Sequence, residues 1–129
     1  MWTFEVRTRE RVCFVDISRD VADLVRGAGD GAVVVFVPHT TAGVTINEDA
    51  DPSVRADLEM ALDRIVPGDL PFRHAEGNSD AHTKAGLMGS SVTVPVVDGD
   101  LQLGTWQGIY FAEFDGPRRR RVLVSYLRA

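Results

Sequence analysis

The chain carries three histidines, His39, His74 and His82, all within the stretch from residue 39 to residue 82. Imidazoles titrate and ligate near neutral pH, so such a group points to metal binding or to acid-base chemistry. His39 follows the apolar run Val33-Val34-Val35-Phe36-Val37-Pro38. It opens a segment, Thr40, Thr41, Ala42, Gly43, Val44, Thr45, Ile46, Asn47 and Glu48, that reads as a buried strand delivering polar side chains to its end. His74 and His82 bracket Glu76, Asn78, Ser79 and Asp80. Three converging imidazoles would suit a divalent ion with an open position, zinc above all. Their spacing matches no short metal motif, so the other reading, surface or hydrogen-bonded structural histidines, stays open. Along a pleated strand Asn47 and Asp49 share a face and Glu48 points the other way. Glu48 is the favoured acid-base residue and is expected to face the cluster. Asp51 either joins the site or caps a helix.

Two further features bear on ligand binding. Gly104-Thr105-Trp106-Gln107-Gly108 sets a Trp and a Gln between glycines in strand-like sequence, which suits a bulge or a close backbone approach to a ligand, or else a Trp filling the core. The run Arg118 to Arg121 offers charge for a phosphate, but alternation puts at most two of the four on one face. A basic edge that discourages strand pairing is the reading preferred here, with Arg120 on that edge and dispensable. Cys13, between Val12 and Phe14, reads as a small core residue rather than a nucleophile.

These residues need elements to hold them. Trp2, Phe4 and Val6 alternate with polar residues, and Val12-Cys13-Phe14-Val15 follows a charged turn, so the chain should open with a hairpin. A helix capped by Ser18 or Asp20 and ended by Gly27 and Gly29 precedes a strand from Ala32 to Val37. Asp51-Pro52 marks the start of a helix reaching about Val66, with Val54, Leu58, Ala61, Leu62 and Ile65 on one side. From Pro67 to about Lys84 the sequence is polar and aperiodic, the kind of long loop that usually carries function. A short helical piece spans Asp80 to Leu87. Strands follow at Ser90 to Val97, Leu101 to Thr105, Ile109 to Phe114 and Arg121 to Leu127, with turns at Asp98-Gly99 and Asp115-Gly116-Pro117. The fold class is α+β, one compact domain over residues 1–129 with a largely antiparallel sheet or sandwich and two main helices.

Composition sets the bounds. With 129 residues, 44% of them hydrophobic, the chain can bury a full core. A net charge of −5 argues against nucleic-acid partners. Apolar runs are too short for a membrane, the N-terminus has no secretion signal, and a single cysteine suits a reducing compartment, so a cytoplasmic protein is expected.

Taken in order, Pro38-His39-Thr40-Thr41-Ala42-Gly43-Val44-Thr45-Ile46-Asn47-Glu48, Asp51-Pro52, Arg73-His74, Glu76-Gly77-Asn78, Asp80-Ala81-His82, Gly89-Ser90-Ser91, Gly104-Thr105-Trp106-Gln107-Gly108-Ile109 and Asp115-Gly116-Pro117-Arg118-Arg119 resemble the YjbQ family over nearly the whole chain. Thr83 departs from it where the family pattern has an apolar residue. The resemblance implies a homotrimer with the polar cluster near subunit contacts. It also implies secondary thiamine-phosphate synthase activity, which joins hydroxymethylpyrimidine diphosphate to hydroxyethylthiazole phosphate and releases diphosphate. On that reading His39, Glu48 and His82 are catalytic, and His39, His74 and His82 hold a divalent metal, zinc or else the magnesium that suits a diphosphate. Thr40, Thr41, Asn47, Asn78, Lys84, Gln107 and Arg118 bind substrate phosphate and polar groups, and Trp106 stacks on a heteroaromatic ring. The same histidines would also serve a metal-dependent hydrolase or lyase of a small phosphorylated metabolite, or a non-catalytic ligand-binding protein.

Overall fold

The computed structural model of the chain describes residues 1–129. In order it forms β1 (Trp2–Arg7), β2 (Cys13–Asp16), α1 (Ser18–Val25), β3 (Gly31–Phe36), β4 (Ala42–Glu48), α2 (Pro52–Ile65), α3 (Ser79–Met88), β5 (Ser91–Val97), β6 (Asp100–Leu101), β7 (Gln107–Glu113) and β8 (Arg119–Arg128). The strands make two antiparallel sheets, β1-β8-β3-β5-β6 and β2-β7-β4. This is the expected α+β domain, with the short helical piece grown into a third helix of 10 residues.

Strand alternation builds the core. Val33 and Val35, Val94 and Val96, and Val122 and Val124 point inward from the larger sheet. They meet Ala42, Val44, Ile109 and Phe111 from the smaller one, and Ile17, Val21 and Val25 close the side. On the other face of the smaller sheet, Phe14, Tyr110, Ala112 and Phe114 pack under Ala81 and Ala85 of α3 and against Leu58 and Leu62 of α2. That close seat of α3 requires Gly43, because a Cβ there would stand 2.5 Å from the Gly89 carbonyl oxygen. Asp51 caps α2 by accepting a hydrogen bond from the Ser53 amide at 2.9 Å, so its helix-capping reading holds. The cap of α1 differs from expectation. Ile17 holds the cap position, the Asp16 carboxylate accepts from the Ser18 amide, and the Ser18 hydroxyl accepts from Ile109 of β7.

The opening hairpin does not form. β1 pairs with β8 and β2 with β7, so residues 8–12 cross from one sheet to the other. Residues 37–41, between β3 and β4, and residues 114–118, between β7 and β8, make the same crossing. All three crossings lie side by side: the Thr8 amide donates to the Arg118 carbonyl, the Phe114 amide to that of Thr41, and the Gly116 amide to that of Arg11. The sandwich is therefore closed at one end by three adjacent connections.

The arginine run is corrected in part by the topology. β8 as a whole lies between β1 and β3, but the β3 ladder ends at Leu123, so Arg119 to Arg121 pair with β1 alone and keep one side without a strand partner. Arg120, expected on the outside, shares the inward parity of Val122 and Val124 and is 5% exposed. It forms an ion pair with Glu113, which shares the inward parity of Ile109 and Phe111 and has no exposed surface. Glu113 Oε1 also accepts from the Thr8 hydroxyl at 2.7 Å and from Arg120 Nε at 2.8 Å, and Oε2 accepts from the Phe114 and Asp115 amides. Arg120 Nη2 reaches the Thr41 hydroxyl at 2.8 Å.

Burial alone would raise the Glu113 carboxyl above the ordinary range, yet the hydrogen bonds from Arg120, Thr8 and the Asp115 amide outweigh it and hold it lower. A depressed carboxyl pKa stabilises the fold above the ordinary carboxylate range, and that stability is lost as pH falls through the lowered value. Glu113→Gln should therefore flatten the acid limb of a stability-pH profile. Arg120→Ala should cost about 3–5 kcal/mol in urea unfolding, since it strands a buried carboxylate; a change under about 1 kcal/mol would refute the role given to this pair.

Candidate functional site

The polar site sits at the closed end of the sandwich because the crossings deliver it there. Pro38 has no amide hydrogen and ends the β3 ladder. The chain then turns toward β4, and His39 fills the space left beside β8, where its Nε2 accepts from the Arg121 amide at 3.0 Å. His82 comes from α3, and His74 from the loop before it. Their rings meet edge to face with centroids 5.2 Å apart. Asn78, just before α3, donates from Nδ2 to Asp115 Oδ2 at 2.8 Å, and Arg118 holds the same carboxylate oxygen at 2.9 Å.

These groups surround a cavity of about 420 Å³ whose lining is polar apart from Pro38: His39, Thr40, Thr41, His74, Glu76, Asn78, His82, Arg118 and Arg120. A second hollow of about 380 Å³ adjoins it across His39, Thr40 and His82 and runs to Gly86, Gly89 and Ser90. Arg120 spends Nε and Nη2 on Glu113 and Thr41, leaving Nη1 with no protein partner. The cavity thus offers guanidinium and imidazole donors on a rigid floor, which suits an anion with several oxygens. A wider depression of about 840 Å³ lies at the far end of the sandwich against α1. It holds none of the histidines, and its lining mixes Arg19 and Arg26 with Asp23, Asp49 and Asp100, so it has no field of one sign.

The sequence expectations divide cleanly. His39, Thr40, Thr41, His74, Asn78, His82 and Arg118 come together. Glu48 does not. It stands opposite Gln107 at the far end of β4, whereas Ala42 at the near end stands opposite Glu113, a separation of roughly 20 Å along the strand. Asn47 lies at that far end too, its Oδ1 accepting from the Glu48 amide. Gln107 accepts from the Gly104 amide at 2.7 Å and closes a turn, and Trp106 on that turn is 63% exposed, neither in the core nor near the histidines. Lys84 lies about 200° around α3 from His82, is buried, and faces Asp63 of α2 at 3.5 Å. Arg120, Glu113, Asp115 and Thr8 were missed. The signal was present: Glu113 and Arg120 are charges at inward positions of their strands.

A zinc site built on the three histidines does not fit this geometry. A neutral imidazole that ligates a metal through one nitrogen keeps a proton on the other, and that proton needs an acceptor. His39 Nε2 instead meets an amide donor, so Nε2 is the unprotonated nitrogen and Nδ1 carries the hydrogen. No three His, Cys, Asp or Glu side chains in the chain are grouped closely enough to hold an ion. Burial first, and then the Arg120 guanidinium, lowers the His39 pKa below its ordinary value.

The sequence matches the family described as UPF0047 protein YjbQ-like over residues 2–129. A UPF0047 protein of Methanocaldococcus jannaschii, MJ1081, is 47% identical over 98% of this chain and 94% of its own length. Among solved structures, a YjbQ/UPF0047-family protein of Clostridium acetobutylicum superposes with a TM-score of 0.96 at 49% identity, covering 98% of this chain and all of that one. A conserved hypothetical protein of Thermus thermophilus gives 0.93 at 44% identity, covering 98% of this chain and all of its own. No helix of the structure is long and apolar enough to cross a membrane.

His39 should titrate below the ordinary imidazole range in a proton NMR titration, staying neutral at pH 7. Equimolar zinc should leave its resonances in place. A zinc-dependent shift of His39 together with His74 and His82 would restore the metal centre and overturn the hydrogen-bond argument.

Proposed function

This chain belongs to the YjbQ-like UPF0047 family, and from that premise we propose that its polar cavity binds phosphorylated small metabolites and carries out the thiamine-phosphate synthase reaction. The observation that supports this reading is Arg120: a buried guanidinium, fixed on two sides, with Nη1 free of protein partners, in the lining of a cavity that also holds Arg118 and three imidazoles. In the reaction the thiazole nitrogen attacks the pyrimidine methylene. A C–N bond forms, the C–O bond to diphosphate breaks, and its electron pair leaves with the diphosphate. Negative charge grows on the leaving group, and fixed donors aimed at it stabilise the transition state. Arg118 and Arg120 take phosphate oxygens, and His82, beside His74, hydrogen-bonds or protonates the departing oxygen. The histidines act here as donors and acids rather than as a metal cage.

The outer face of the larger sheet supports the homotrimer. It carries Val34, Phe36, Leu123 and Leu127, with Phe36 and Leu127 exposed. An apolar sheet face left open to water is a surface for self-association. Glu48 meets a histidine cluster only in an assembly that brings one subunit's far end to another's cavity.

Assayed with both substrates, the protein should consume them in equal amounts and release one diphosphate per product. Phosphate release from either substrate alone, or no turnover, would sink the proposal. His82→Ala should lower the rate by about a hundredfold or more with little change in Tm. Light scattering should give the mass of three chains, and Phe36→Asp should lower it; a monomeric wild type would count against the assembly.

A further inference from the structure

Four consecutive arginines, 118 to 121, stand in a chain whose net charge is −5. Alternation turns Arg120 inward and leaves Arg119 and Arg121 on the outer face of the larger sheet, at its cavity end and beyond the apolar patch that stops at Phe36 and Leu123. Guarding an edge does not require them, since β1 pairs along one side of Arg119 to Arg121 and, beyond the end of the β3 ladder at Leu123, His39 takes the Arg121 amide on the other. Neither guanidinium has an ion-pair partner; every ion pair of the chain lies elsewhere. Glu5 stands opposite Arg121 across the β1–β8 ladder and still does not pair with it. Together with Thr3, Glu5 and His39 they line a hollow of about 450 Å³. Their backbone positions are two residues apart on one strand, about 7 Å, a spacing that lets two guanidinium groups share one phosphate. His39 and Arg120 belong to this hollow and to the polar cavity alike.

We infer that each subunit holds two phosphate groups at once, one in the polar cavity over Arg118 and Arg120 and one against Arg119 and Arg121 on the outer face, with His39 between them. The inference rests on the cavity being a phosphate site and narrows its substrate class: two phosphorylated molecules bound side by side, or one molecule with phosphates at separate positions. His39, neutral and with Nε2 occupied by a backbone amide, offers one N–H from the boundary between the two. The two hollows differ in character. In the cavity Arg120 is locked by Glu113 and Thr41 and Arg118 is tethered to Asp115, whereas Arg119 and Arg121 have no such partner. The first therefore fixes a reacting phosphate, and the second holds a spectator phosphate that positions its molecule.

The test is calorimetric titration of the intact protein with inorganic phosphate at low ionic strength, where such contacts are least screened. Wild type should take two equivalents per chain. The double variant Arg119→Ser/Arg121→Ser should take one, and Arg118→Ser should weaken the other by about tenfold or more. Both variants change exposed side chains, and unchanged Tm values would confirm that they fold. One equivalent in wild type, kept by the double variant and weakened by Arg118→Ser, overturns the two-phosphate inference and leaves the cavity reading intact. One equivalent lost in the double variant and untouched by Arg118→Ser overturns the cavity reading as well. No binding in wild type overturns both.

Discussion

The ion pair between Glu113 and Arg120 is the constraint around which this end of the molecule is organised. Both side chains point into the space between the sheets, where water is excluded and a lone charge would be costly. The pair is held by groups from separate segments: Thr8 after β1, Thr41 before β4, and the Phe114 and Asp115 amides after β7. A buried pair of this kind adds little net stability compared with apolar residues of the same volume. What it does add is position. The crossings that carry Thr8, Thr41 and Asp115 are each tied to the same two side chains, so the residues that line the cavity are held relative to one another by a single polar knot.

Position matters because the cavity is assembled from chain segments far apart in sequence. Residues 38–41, 74–82 and 115–120 meet only because three connections cross between sheets at the same end. The apolar core stops short of that end, and Glu113 and Arg120 occupy the inward positions that hydrophobic residues hold elsewhere along β7 and β8. Three elements approach there as well: Arg11 reaches Asp80 of α3 at 3.2 Å, Asn78 reaches Asp115, and the Val44 amide donates to the Gly89 carbonyl. The helix that brings His82 is thus anchored near both of its ends.

Local signals in the sequence were reliable where the physics is local. Asp51-Pro52 gave a cap that needs only its own backbone, Asp98-Gly99 gave a turn whose left-handed residues are both present, and Pro38 ended a strand just before His39. What failed was pairing at a distance. Two adjacent strands, Trp2–Arg7 and Cys13–Asp16, look like a hairpin, and nothing in their own residues says that each belongs to a different sheet. The same gap misplaced Arg120, because which face of β8 is inward is not known until the second sheet is seen to pack on Val122 and Val124. Glu48 was assigned to the histidines on sequence proximity, yet a seven-residue strand carries its two ends to opposite sides of a small domain. Lys84 was assigned as a cation for phosphate oxygens in the implied reaction, but it stands two residues from His82, and two helical residues are enough to turn a side chain to the opposite face.

The resting charge of the cavity follows from these contacts. Arg118 is held by Asp115 and Arg120 by Glu113, so the two guanidinium groups nearest the cavity are each matched by a carboxylate. The matching is not equivalent. Glu113 is wholly buried and saturated with donors, so it stays with Arg120 whatever binds. Asp115 lies closer to solvent and shares one oxygen between Asn78 and Arg118, in a pair that is half open to water. A phosphate approaching Arg118 competes with a carboxylate that has Asn78 as its remaining partner and solvent at hand to rehydrate it. Arg120 therefore supplies fixed charge through Nη1, while Arg118 supplies charge that an arriving anion can draw away from Asp115. A cavity built in this way keeps its two cations matched by carboxylates, and an anion bound at Arg118 would raise its field by drawing that side chain from Asp115.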